Sequence, residues 1–484
     1  MAQQALGAGR VVARRRALFG LLDGDGWGWA SVKAFGWLIL IIFMLGYLPD
    51  RAYYLTVGRT VSLGVLAWSP INLCPPTNET LPCPAPVGAL VPWHPSPAEL
   101  ALPAGRTGGS VVQVGTKLLY IGGSDGSTAQ ASVYVAAADG SGGFGPWGSG
   151  PALPAPRADA TVAYVAGSIY VAGGTDEAGA TTSTVFVLTP DGATGDLGEW
   201  ATADALALPE ARTAAAAAVT TDGLLLIGGW GPAGPVATTW KSLIDSAGAL
   251  GPWAAEQPLQ QAQADATAAV VGDYVWVYGG SGASGPVGAV QRGAFGEAAV
   301  EGLPENPNEG KVVRWDITNA ANLPAARTNA AGWAANGALY LAGGNDGSGP
   351  ARELYWATPT STGDLTEWKH LDVSDLPEAG LEGAAAIVSG PNAILVGGAS
   401  DSGVLASSVR ANAAPQAPFF QLGLVGATVP GLTIDGEIGQ QLGYLNAAGV
   451  GTVNFIVLIL VGVAFAHRDG TRALFGRILS RRRR

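Results

Sequence analysis

The sequence predicts an all-β fold, a six-bladed β-propeller flanked by two transmembrane α-helices. Three observations carry that expectation. An apolar run ending in a glycine pair recurs six times through the middle of the chain. Short runs of alternating or continuous apolar residues, bounded by Gly, Asp, Asn and Pro, fill the space between recurrences. An uncharged apolar stretch stands near each end, with basic residues on its outer side.

The first stretch is "AFGWLILIIFMLGYLP", preceded by Trp27, Trp29 and Lys33. Counted over 27–48 it is long enough for a helix to cross the roughly 30 Å apolar core of a bilayer. No small-x-small cleavage site follows it, which argues for a retained anchor over a cleaved signal peptide. The second is "AAGVGTVNFIVLILVGVAFA" over 447–466, followed at once by His467 and Arg468. Arg10, Arg14, Arg15, Arg16 and Lys33 lie outside the first span, and the Arg-rich tail to Arg484 lies outside the second. The positive-inside rule then puts both termini in the cytoplasm and everything between them outside, a plasma (cell) membrane protein. Basic flanks of this kind also meet anionic lipid at the membrane surface, which makes membrane lipid an expected partner.

Charge is divided along the chain. Of 26 Lys and Arg and 37 Asp and Glu, residues 51–450 hold 14 and 33, and the two ends hold the rest. An acidic middle excludes nucleic acid as a partner, because phosphate contacts need Lys and Arg to displace counterions. The two cysteines, Cys74 and Cys83 in "CPPTNETLPC", are expected to form a disulfide outside the membrane. Two cysteines are too few for a structural zinc site, and no metal or cofactor is expected.

The repeat has a fixed internal order. Its glycine pairs begin at Gly122, Gly173, Gly228, Gly279, Gly343 and Gly397. Sixteen residues before four of them stands an arginine, Arg106, Arg157, Arg212 or Arg327, three residues after the proline of a Leu-Pro pair. Gln263 and Leu381 hold the same place in the fourth and sixth units. A tryptophan follows most pairs by about 25 residues, at Trp147, Trp200, Trp253 and Trp368, with Trp315 delayed in the longest unit. A period near 50 with four short strands per unit reads as propeller blades.

These marks together resemble the kelch repeat across residues 85 to about 420. The resemblance implies a propeller that serves either as a binding module or as an enzyme, since a fold does not settle an activity. A galactose-oxidase-like copper site would need histidines, tyrosines and a cysteine within the blades; the chain has His94, His370 and His467, and both cysteines precede the blades. A sialic-acid-epimerase-like or glycan-binding propeller is the alternative, although the repeats single out no carboxylate for acid-base work. The expected function is a non-catalytic protein-binding or assembly module, a subunit of a membrane complex, with no catalytic residues assigned.

Each mark also has a structural use. Gly-Gly gives room at the neighbouring blade, Trp fills the wedge between sheets, and the arginine bonds backbone between blades. The loops after Gly-Gly, such as "GGSDGST" and "GGNDGSG", form one surface, and their Asp-Gly content is turn chemistry. If a partner binds there, Arg106, Arg157, Arg212, Arg327, Asp125, Asp176 and Asp346 are the candidate binding residues.

"VGALVPWHPSPAELALPAGR" carries Trp93 and a Leu-Pro pair but no glycine pair, so 85–105 is expected to supply the closing strand of the last blade. "APFFQLGLVGATVP" is the competing closing strand. The organisation expected is therefore a cytoplasmic segment (1–26), a span (27–48), a linker with the cysteine loop (49–84) and the propeller (85–430). A second linker (431–446), the second span (447–466) and a cytoplasmic tail (467–484) complete it. The fourth unit's long segment "QRGAFGEAAVEGLPENPNEGKVVRW" falls between its third and fourth strands and carries Glu297, Glu301, Glu305 and Glu309.

Overall fold

In this computed structural model, the described residues are 88, 90 and 93–412, with breaks at 139–142, 193, 297–308, 318–320, 336, 361–362, 366, 378–379 and 390–391. The backbone of 421–422 and 427–428 is also described. Both expected membrane spans, the cysteine pair and the basic ends lie outside these residues. Among the described residues no helix is long and apolar enough to cross a membrane.

Six four-stranded antiparallel sheets make up the fold, each ordered as consecutive strands except the last. Blade one pairs Ser110–Val114, Lys117–Ile121, Val133–Ala137 and Gly148–Ser149 in that order. Blades two to five repeat the pattern from Thr161–Val165, Ala216–Thr220, Thr267–Val271 and Ala331–Ala335. The first strands contact one another in sequence order, and the first strand of blade one also meets that of blade six, Ala385–Ser389. They are the innermost ring. They are rich in Ala, Val and Thr, as in "AAAVT" and "TAAVV", although Tyr164 and Trp333 also stand in them.

Blade six is closed by the other end of the chain. His94–Pro95 pairs with Ser408–Asn412 in the register His94 to Arg410 and Pro95 to Val409. The lead-in strand is therefore strand four of the last blade. Residues 421–422 pair with 427–428 as a hairpin of their own. The lead-in is fastened beyond the two-residue ladder: Leu90 is fully buried, its carbonyl accepts from Ser374 Oγ, and Tyr340 Oη donates to the Gly88 carbonyl.

Blades hold together through apolar seams between facing sheets. One seam joins Leu118, Tyr120 and Trp147 of blade one to Ile394 and Val396 of blade six. Tryptophans at the fourth strands seal the outer wedge, and all but Trp147, whose buried N–H has no partner, keep their polar edge satisfied. The N–H groups of Trp200, Trp253, Trp315 and Trp368 each donate to a carbonyl of the preceding blade, at Pro151, Leu206, Gln257 and Ala321. Trp93 does the same to Ser374, 2.9 Å away, and so takes the position that blade six otherwise lacks.

The glycine pairs work at the seams on the inner side. In all six, the second glycine's N–H donates to the carbonyl of the arginine-position residue of the next blade, as from Gly123 to Arg157 and, at ring closure, from Gly398 to Arg106. A Cβ on Gly343 would strike the Leu381 carbonyl of the neighbouring blade, and its φ of +64° is already in the left-handed region. Glycine is needed there on both counts.

The long segment of blade four is shorter than the sequence implied. Val290–Phe295 and Val312–Ile317 extend the ladder into "QRGAF" and "VVRW", leaving 296–311 as the excursion. Its base is pinned by buried Lys241, whose Nζ donates to the Gly310 carbonyl at 2.6 Å and to Asp222 Oδ2 at 2.7 Å.

Candidate functional site

Antiparallel order puts the connections after strand two and after strand four on one face of the ring. Beyond each glycine pair the chain makes a hairpin. Trp230–Gly231 pairs with Gly234–Pro235, Ser281–Gly282 with Gly285–Pro286, and Ala399–Ser400 with Gly403–Val404. Single bridges do the same in the other blades, at Ser124 with Ala129, Thr175 with Thr181 and Asn345 with Pro350.

The four predicted arginines are not presented on that face. Arg106 and Arg157 are 5% exposed, Arg327 2% and Arg212 1%. Each guanidinium lies over the aromatic ring at the second position of its own blade's third strand: Tyr134, Phe186, Trp240 and Tyr355, at 4.5 to 5.7 Å from the centroid. Its donors go to nearby acceptors. Arg106 bonds the Gly105 carbonyl, Ser132 Oγ and Tyr134 Oη; Arg157 bonds the Pro156 carbonyl and Thr184 Oγ1. Arg212 bonds the Gly228 carbonyl, Thr238 Oγ1 and Glu210, and Arg327 bonds the Ala326 carbonyl and Glu353. Burial pulls the Arg157 and Arg212 pKa values down, and ring faces and acceptors are what make such burial tolerable.

The pairing of residue types is systematic. Where the arginine is Gln263 the aromatic is Gln291, and the two amides hydrogen-bond to each other. Where it is Leu381 the aromatic is Val409. Position by position, this is a clamp inside each of the first five blades, and blade six has none.

Of the predicted aspartates Asp125 and Asp346 are exposed and Asp176 is half-buried, and all three shape their own hairpins. Asp125 accepts from the N–H groups of Ser127 and Thr128, both at 2.9 Å, and these bonds hold its carboxyl below the usual range. Asp176 accepts from Ala178 and Ala180. Asp346 accepts from Ser348 and stands 3.8 Å from Arg327, the only one of these carboxylates within ion-pair distance of a predicted arginine.

The structure brings together a set that the sequence reading passed over. Two residues beyond each arginine position lie Gly108, Asp159, Ala214, Asp265, Asn329 and Gly383, all with φ between +49° and +62°. Their backbones form successive links around the axis. Asp159 N–H donates to Gly108, Ala214 to Asp159, Asp265 to Ala214, Gly383 to Asn329 and Gly108 to Gly383, at 2.7 to 3.0 Å. The repeats therefore do single out carboxylates, contrary to the sequence reading: Asp159 and Asp265 sit at equivalent axial positions. The signal was the fixed offset from the arginine, filled by Gly, Asp and Asn, which tolerate left-handed backbone best.

These two carboxylates differ in surroundings. Asp265 accepts from Trp230 Nε1 at 2.8 Å and Thr328 Oγ1 at 3.3 Å, bonds that oppose the upward push of burial on its pKa. Asp159 is exposed to solvent, although much protein surrounds it. Burial first, and the charge of Asp265 second, raise its pKa to about 6. Among the described residues no group of three or more His, Cys, Asp or Glu side chains is placed to hold a metal ion.

Comparison with known proteins agrees with the repeat. The family described as Kelch motif matches residues 156–194, which run from the arginine of blade two past its third strand. The resemblance read from the sequence is matched by that model in blade two, and the described residues form a six-bladed β-propeller. A solved structure titled "Structure of YjhT" is 16% identical, covers 64% of this chain and 95% of that one, and superposes with a TM-score of 0.48. No curated protein matches the chain.

Proposed function

We propose that this protein is a membrane-anchored binding module, a non-catalytic subunit of a membrane complex whose propeller stands outside the plasma membrane. The observation that carries the reading is the division of the ring into two faces. The chain enters at strand four of blade six and leaves after its strand three, so both ends of the propeller's own chain open on one face. The six hairpins and the axial carboxylates belong to the other. A scaffold tethered by the first face offers the second to a partner, and loop-rich faces on a rigid frame suit protein or glycan surfaces.

Protease added outside intact cells tests the topology. It is expected to cut within the propeller and to spare both Arg-rich ends; protection of the blades would sink the reading. Mild solubilisation followed by native mass measurement tests the assembly, which a mass equal to one chain would exclude.

One observation favours a second reading, a sugar-processing propeller. Asp159, exposed to solvent and with its pKa raised to about 6 by burial and by the charge of Asp265, has the poise of a general acid or base. Turnover of a sugar with a pH break near 6, abolished in Asp159→Asn, would establish it over the binding module.

A further inference from the structure

Five blades fill the space beside strand three with their own clamp, and blade six does not. Leu381 and Val409 are too short and too apolar to replace an arginine and its ring. A pocket of about 60 Å³ remains at this place, lined by Leu376, Leu381, Leu395, Leu405 and Val409, with Gly397 and Ser407 at its polar end. Gly397 and Ser407 are the equivalents of the residues that receive the clamp elsewhere. Gly228 and Thr238 accept from Arg212, and Gly279 and Ala289 accept from Gln263. The same backbone bond, from the first glycine's N–H to the carbonyl of the residue before strand three, fixes the equivalence: Gly228 to Thr238, Gly279 to Ala289, Gly397 to Ser407.

We propose that this pocket between blades five and six binds an uncharged aliphatic primary amide. Blade four shows how such a group sits. The Gln263 amide nitrogen donates to the Gly279 carbonyl at 2.7 Å and the Ala289 carbonyl at 3.2 Å, with its alkyl stem in the seam. Blade six keeps both backbone acceptors and supplies four leucines and a valine for the stem. A guanidinium or ammonium is disfavoured, because the aromatic face is gone and no carboxylate lines the pocket. A carboxylate ligand has no cation to meet. The inference rests on the clamp geometry and is independent of how the axial carboxylates are used.

Saturation-transfer NMR on the full-length protein in detergent tests it, with butyramide as the free amide and N-acetylglutamine amide as the same group carried by a peptide residue. Saturation of at least one is expected, and saturation of neither overturns the proposal. Stronger binding of the glutamine derivative assigns the pocket to a partner's side chain, and stronger binding of butyramide assigns it to a free ligand. N,N-dimethylbutyramide, which has no N–H, is expected to bind at least about tenfold more weakly, the loss of paired donors; equal binding overturns the amide assignment. Leu381→Arg with Val409→Tyr rebuilds the clamp of blade one and is expected to abolish binding. If that pair of substitutions unfolds the protein, Val409→Phe alone is expected to weaken binding, and unchanged saturation in a folded variant overturns the proposal.

Discussion

In blade three the guanidinium of Arg212 lies 4.5 Å from the ring centroid of Trp240, with its NH1 donating to the Gly228 carbonyl at 3.1 Å. The two residues are 28 apart in sequence, and the same offset joins Arg106 to Tyr134, Gln263 to Gln291, Arg327 to Tyr355 and Leu381 to Val409. What looked like a row of arginines is half of a row of pairs.

The pair predicts non-additive stability. Arg212→Leu leaves Glu210, the Gly228 carbonyl and the indole face without their partner, and is expected to cost about 2–4 kcal/mol in urea unfolding. Trp240→Val alone is expected to cost about 3 kcal/mol from lost packing. The double variant, which copies the blade-six pair, is expected to cost about 1–2 kcal/mol less than the sum. Strict additivity would mean that the two side chains do not act together.

The glycine pair predicts a contrast between two alanines. Gly343→Ala forces a Cβ into the Leu381 carbonyl and is expected to destabilise by about 3 kcal/mol or more. Gly167→Ala, at φ +83° with open space around it, is expected to cost about 1–2 kcal/mol, the backbone term alone. Equal melting temperatures for the two variants would remove the argument that the pair is dictated by the next blade.

Ring closure predicts local opening. Trp93→Ala removes a buried indole and its bond to Ser374, at a cost of about 3–5 kcal/mol. Hydrogen exchange is expected to quicken in Ser408–Asn412 and Asn392–Val396 before it does in blade three. Uniform acceleration through the ring would show that the lead-in strand is not the clasp.

The axial carboxylate predicts a pH effect with a definite sign. The folded-state pKa of Asp159, about 6, lies above its unfolded value near 3.8. Folding therefore favours its protonated form, and the group's contribution to stability declines as pH rises from about 4 through 6. Asp159→Asn removes that decline, so its melting temperature is expected to exceed the parent's by about 2 °C at pH 7 and to match it near pH 4. A variant no more stable than the parent at pH 7 contradicts the placement of Asp159 against Asp265.

The repeat, the six blades and the closing strand were legible because each depends on local marks at fixed offsets: Gly-Gly, Leu-Pro and Trp. The missing glycine pair before Trp93 was enough to place the lead-in strand in blade six, as the ladder from His94 to Arg410 confirms. The role of the arginines was half legible. Their burial follows from position, but their aromatic partners lie a strand away and were not paired with them. Asp159 and Asp265 went unnoticed for a related reason. They sit in two blades of six, and their relation exists only once the ring brings equivalent positions to one axis.

By itself the sequence determined the strand count per unit, the period and the order of the blades, because glycine conformations, apolar alternation and tryptophan wedges act over short separations. Only the tertiary structure decided what stands next to what across the ring. Closure set Trp93 against Ser374, brought the charge of Asp265 to bear on the ionisation of Asp159, and left in blade six a space that its own residues are too small to fill. Those relations are set by distances through space, which no spacing along the chain expresses.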